Sequence, residues 1–143
     1  MIKENGIIYF KIDGKYRSKL GLPASRATNL CGSYDSSKGV LTILWCSLPD
    51  APSAYVNGQW GPQEDPFAGD VINSYNDGPV EDGSIMGPFY EIETSSPGAE
   101  LAAGASLVHT QKVVHIQGED RKLASIVQKL FGADLNVIKS KFQ

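Results

Sequence analysis

No Lys or Arg occurs between Gly39 and Gln111 of this 143-residue chain. The same stretch carries ten acids: Asp50, Glu64, Asp65, Asp70, Asp77, Glu81, Asp82, Glu91, Glu93 and Glu100. An acidic centre of this kind repels a phosphate backbone, so nucleic acid is not an expected partner. The flanks are basic, with seven Lys/Arg against three acids in residues 1–38 and six against three in residues 112–143. No run reaches the roughly 18 apolar residues of a membrane-spanning helix. The N-terminus, "MIKENGIIYFKIDGK", has no apolar core of signal-peptide length. If Met1 is the natural start, the expected compartment is the cytoplasm. Cysteine is scarce: Cys31 and Cys46 are too far apart for a CxxC motif, and both read as buried free thiols. GxSxG and GxxxxGK[ST] are both missing, which excludes the common nucleophile-elbow and phosphate-loop chemistries. Nothing calls for a cofactor.

What is present describes one domain over residues 1–143, long enough to bury roughly 70% of its unfolded surface without a metal or disulfide. Fifteen glycines and eight prolines, spread between short apolar runs, favour β structure with many turns. Alternating runs on either side of Asp13-Gly14 predict a hairpin, with Lys15, Arg17 and Lys19 forming a solvated stripe on its second strand. "GVLTILWCSL" (39–48) reads as a central strand buried on both faces. Residues 49–87 are rich in Pro, Gly, Asn and Asp, with one short strand around "DVINSY". Strands are expected at "FYEIETSS" and after "AAGASL", the latter carrying both His109 and His115. "EDRKLASIVQKLFG" predicts one helix near 119–131, with Leu123, Ile126, Val127, Leu130 and Phe131 spaced by three and four and Gly132 as its C-cap. "ADLNVIK" reads as a final strand. The expected class is an antiparallel β-sandwich with one C-terminal helix.

The chemistry concentrates in the acidic centre. Within "GPFYEIETSSPGAEL", a period of two sets Glu91 and Glu93 on one strand face, roughly 7 Å apart. A solvated sheet face and a ligand-binding carboxylate pair both fit that pattern. Trp60 and Tyr75 offer flat faces to a sugar ring, and Asn73, Asn76 and Asp77 offer oxygens to its hydroxyls; the same aromatics equally suit a small core within the loop. Asp70 and Asp77 supply oxygens of a kind Ca²⁺ accepts, but Asn76-Asp77-Gly78-Pro79 is also what a tight turn needs. His109 and His115, six apart in a strand, would stand roughly 20 Å apart and cannot share a metal.

At "EIETSSPGAELAAGASLVHTQKVVHI" the sequence resembles the C-terminal signature of galactose mutarotases and related aldose epimerases. Ile92-Glu93-Thr94 matches its first element and "LAAGASLVHT" its second, with Ala103 at the usual proline. The resemblance implies that Glu93 stands where those enzymes hold the base that deprotonates the anomeric hydroxyl. "YFKIDGKYRSKLGL", "GSYD", "VLTI", "NSYNDGP", "GPFYEIETSSP" and "HIQG" together resemble the C-terminal portion of an uncharacterised bacterial family of mutarotase-like supersandwich proteins.

The acid of a mutarotase is a histidine upstream of the glutamate. Here both histidines lie downstream, leaving His109 as a displaced candidate acid. The resulting expectation is a carbohydrate-binding, mutarotase-like domain around Glu93, with a mono- or oligosaccharide as ligand. A structural or interaction domain of a glycan-processing protein is the alternative, and an aldose 1-epimerase with Glu93 as base a third. Half a supersandwich leaves sheet edges open, which implies a homodimer or association with a missing N-terminal part.

Overall fold

A computed structural model describes residues 1–59 and 61–142. Among the described residues, eight strands and two helices follow one another as β1 (Ile2–Glu4), β2 (Ile7–Tyr9), β3 (Ser18–Pro23), β4 (Leu30–Asp35), β5 (Val40–Cys46), β6 (Asp70–Asn76), β7 (Tyr90–Thr94), β8 (Gln111–Gln117), α1 (Asp120–Phe131) and α2 (Leu135–Ser140). Besides the β1–β2 hairpin there are two three-stranded sheets, β3-β6-β7 and β4-β5-β8, and every strand pairing within them is antiparallel. The protein is mainly β, a sandwich with helices at its C-terminal end.

β5 explains the layering. Leu41 and Ile43 point to one side, where they pack with Leu123 and Val127 of α1 and with Leu135 of α2. Thr42, Leu44 and Cys46 point to the other side and are equally buried. A strand covered on both faces needs a continuous apolar run rather than an alternating one, as "VLTILWC" supplies. The second sheet meets the first through Leu22, Ile72 and Cys31, with Tyr55 and Val71 completing the cluster. Two polar ties join them at β7: the Tyr90 and Ser33 hydroxyls lie 2.9 Å apart, and Thr94 donates to Gln111 Oε1 at 2.6 Å.

Helix α1 follows most of its sequence signals, although Leu130 of the expected apolar stripe is 42% exposed. Leu123 and Val127, one turn apart, are its buried residues, and Gly132 takes the left-handed conformation (φ 64°) and donates to the Gln128 carbonyl. Three expectations are corrected. The hairpin turn is Asn5-Gly6 (φ 49° and 77°), not Asp13-Gly14. Gly14 does adopt a positive φ, but its N–H donates to Asn76 Oδ1 at 2.9 Å, so residues 11–17 run as an irregular segment. "ADLNVIK" is helix α2 rather than a strand. Asp134 caps it by accepting from the Asn136 N–H at 2.7 Å, and Leu135 and Ile138, spaced by three, both pack on the α1 core. His109 precedes β8, so only His115 belongs to that strand.

Candidate ligand-binding face

Strand pairing assembles the face. β6 is the middle strand of its sheet, and its register sets Lys19 and Glu91 on either side of Tyr75. One pleat further on, the same register sets Gly21 and Glu93 on either side of Asn73. Alternation points both rows to the same side, away from the Leu22–Ile72 contact with the other sheet. Two cross-strand rows result, Lys19–Tyr75–Glu91 and Gly21–Asn73–Glu93, with adjacent Cβ positions about 5 Å apart. Four residues singled out in the sequence, Asn73, Tyr75, Glu91 and Glu93, thus share one surface. Glu91 and Glu93 are exposed, and among the described residues neither carboxylate has a hydrogen bond or ion pair. The basic side chains of Lys15, Arg17 and Lys19 therefore do not neutralise them.

Tyr75 is held in place from one end. Arg17 Nε donates to the phenol oxygen at 2.7 Å, and the phenol donates to Asp77 Oδ1 at 2.7 Å. The guanidinium also lies over the ring, 5.8 Å from its centroid, and Phe89 packs at 5.9 Å and 41°. Asp77 is only 1% exposed and also accepts from the Gly87 N–H at 2.9 Å. The Tyr75 hydrogen bond, helped by backbone N–H groups from Gly87, Gly78 and Met86, holds its carboxyl below the usual aspartate range despite desolvation. The Arg17–Tyr75–Asp77 chain was not read from the sequence, although Tyr75 and Asp77, two apart at a strand end, were its visible part.

Asn76 points to the other face of β6 and is fully buried. Its amide donates to the Tyr16 carbonyl at 2.8 Å and its oxygen accepts from Gly14. Asn76 and Asp77 thus spend their polar atoms on the protein, Asn76 on the opposite face and Asp77 on the Tyr75 hydroxyl and backbone N–H groups. Asp70 and Asp77 stand at opposite ends of β6, roughly 20 Å apart along the strand, so they cannot share a Ca²⁺ ion. Among the described residues no group of three His, Cys, Asp or Glu is arranged to hold a metal. Trp60 lies outside the described residues.

His109 is half-buried, with Nε2 3.1 Å from Thr94 Oγ1. Thr94 follows Glu93 directly and therefore faces the opposite side of β7. Glu93 and His109 do not converge on one reacting centre. His115, exposed on β8, has Nδ1 2.9 Å from Thr42 Oγ1.

Among the described residues, two cavities are lined by neither Glu91 nor Glu93. One of about 230 Å³ is lined by Arg17, Asp77, Ser84 and Met86, below the size usual for a small-molecule pocket. A cleft of about 1090 Å³ runs between residues 7–14, β4 and the Phe131 end of α1, and neither Glu91 nor Glu93 lines it.

No curated protein and no solved structure matches this chain. A profile of a family of unknown function, DUF6786, matches residues 1–142, so the chain belongs to the DUF6786 family.

Proposed function

We propose that the outward face of the β3-β6-β7 sheet binds a mono- or oligosaccharide, and that the protein is a mutarotase-like binding module rather than a complete aldose epimerase. The observation that carries this reading is the pair of cross-strand rows with two carboxylates, unpartnered among the described residues, on one pleated surface. Each residue type has a use there. Glu91 and Glu93 accept from sugar hydroxyls, Asn73 both donates and accepts, Lys19 donates, and Tyr75 supplies a partly apolar wall. Epimerase chemistry needs an acid and a base within reach of the same sugar. The separation of His109 from Glu93 by the β7 backbone favours binding over turnover.

The test is a thermal-shift screen of monosaccharides on wild type and Glu93→Gln side by side. A ligand present at 100 times its Kd stabilises the folded state by about 2.7 kcal/mol. A rise in Tm with particular sugars, absent in Glu93→Gln, is the expected result. No rise with any sugar would sink the proposal.

A second reading, as an interaction domain, is supported by the open sheet edges. β7 and β8 each pair on one side only. Val113 and Val114 on β8 remain 49% and 47% exposed. Unpaired edges with exposed apolar side chains, as on β8, are what a homodimer or a further polypeptide would cover. Light scattering on the purified chain reports which oligomer forms.

A further inference from the structure

β6 contains an irregularity that re-aims one side chain. Leu22 pairs with Ile72, yet the next residue of β3, Pro23, pairs with Asp70, leaving Val71 without a partner on β3, although its carbonyl accepts from the Ser95 N–H at 2.8 Å. This bulge lets two successive residues, Val71 and Ile72, both enter the core at 1% and 5% exposure. Strict alternation would have put Asp70 on the side opposite Asn73 and Glu93. The extra residue instead brings Asp70 to the same side as Gly21 and Asn73. Bulges recur beside functional sites for this reason.

Gly21 makes room for what the bulge delivers. A Cβ at Gly21 would stand 1.8 Å from Asp70 Oδ2 and 2.9 Å from Oδ1. The carboxylate therefore occupies the volume that any other residue's side chain would fill. Among the described residues the Asp70 carboxylate has no ion pair, and no side-chain hydrogen bond reaches it. It is half-buried, so an unused set of acceptor lone pairs is held against the sheet.

We propose that Asp70, seated over Gly21 by the Val71 bulge, is a third ligand carboxylate of the sugar face, and that the ligand is a neutral aldose unit with free adjacent hydroxyls. This rests on the sugar-binding reading above. Asp70 and Glu93 flank Asn73 across the three strands, so the ligand meets acceptors on both sides and one amide between them. Such a set takes hydroxyl donors. It repels a sugar phosphate or a uronate, and Lys19 is the one cation within the two rows.

Calorimetric titration of galactose, glucose, glucuronate and glucose 6-phosphate into wild type, Asp70→Asn, Gly21→Ala and Glu93→Gln tests this, with the circular dichroism of each variant recorded alongside. The expected result is binding of a neutral sugar alone, weakened roughly 10- to 100-fold in Asp70→Asn, as loss of a charge-assisted hydrogen bond implies. Gly21→Ala, by displacing Asp70, should weaken binding in the same range. Should Gly21→Ala fail to fold, Asp70→Asn, which keeps size and shape, decides the question. Full affinity in Asp70→Asn with binding lost in Glu93→Gln overturns the role of Asp70 and leaves the sugar face standing. Tighter binding of glucuronate or glucose 6-phosphate overturns the ligand class. Wild type that binds none of the four overturns both proposals.

Discussion

Asn76→Ala removes one side chain that anchors residues 13–16 to the β6 end of the sheet. Its amide donates to the Tyr16 carbonyl at 2.8 Å, and its oxygen accepts from the Gly14 N–H at 2.9 Å. Asn76 is 0% exposed, so water does not replace either bond without rearrangement. Each bond contributes about 1 kcal/mol net, and a buried partner left unsatisfied costs about 1–3 kcal/mol. A loss of about 2–4 kcal/mol follows, less than the sum of maximal penalties because the segment can relax towards solvent. For a domain of this length that is a drop in Tm of roughly 6–12 °C. Urea unfolding followed by tryptophan fluorescence measures it, with an unchanged m-value showing that only stability moved. A change under about 0.5 kcal/mol, within the range of ordinary surface substitutions, would refute the anchoring role and return Asn76 to the list of residues free to meet a ligand.

Other consequences are as specific. Leu123→Ala hollows the contact between α1 and β5 and should cost about 2–5 kcal/mol in the same unfolding assay, since Leu123 is almost completely buried. Burial pushes the Cys31 thiol up to about 11 and raises that of Cys46 as well, so both should resist iodoacetamide at pH 8 in the native protein and react promptly in urea; rapid native labelling counted by mass spectrometry would contradict this. The lowered Asp77 carboxyl makes its contribution to stability complete above the unfolded aspartate value of about 3.9 and lost as pH falls below it. Wild type should therefore lose more stability than Asp77→Asn between pH 5 and acid, and parallel pH profiles would overturn that assignment.

Periodicity and end signals made much of the scaffold legible. β5 announced itself as a run too apolar to alternate, and α1 through three-and-four spacing ending at Gly132. The errors came where two local signals competed. Asp13-Gly14 and Asn5-Gly6 both suit a two-residue turn, but Gly14 and Tyr16 are both tied to Asn76, which draws the first out of hairpin pairing. In "ADLNVIK" the aliphatic residues suggested a strand, whereas Asp134 as N-cap and the Leu135–Ile138 spacing favour a helix docked on α1. Alternation within β7 was enough to place Glu91 and Glu93 together. It could not show that β3 and β7 flank β6, because pairing partners and register depend on contacts far apart in sequence. Lys19 and Gly21 therefore join the face only in three dimensions. The re-aiming of Asp70 is hidden for the same reason, since a bulge breaks the very alternation by which a strand is read.

The measurement that bears most directly on the proposed sugar face is an amide chemical-shift titration of the ¹⁵N-labelled protein with the monosaccharide that most raises its Tm. Saturable shifts at Lys19, Gly21, Asn73, Tyr75, Glu91 and Glu93, which the register places in two adjacent rows, are the predicted result. Shifts confined to the cleft between residues 7–14 and α1, or an unperturbed spectrum at high sugar concentration, would contradict it.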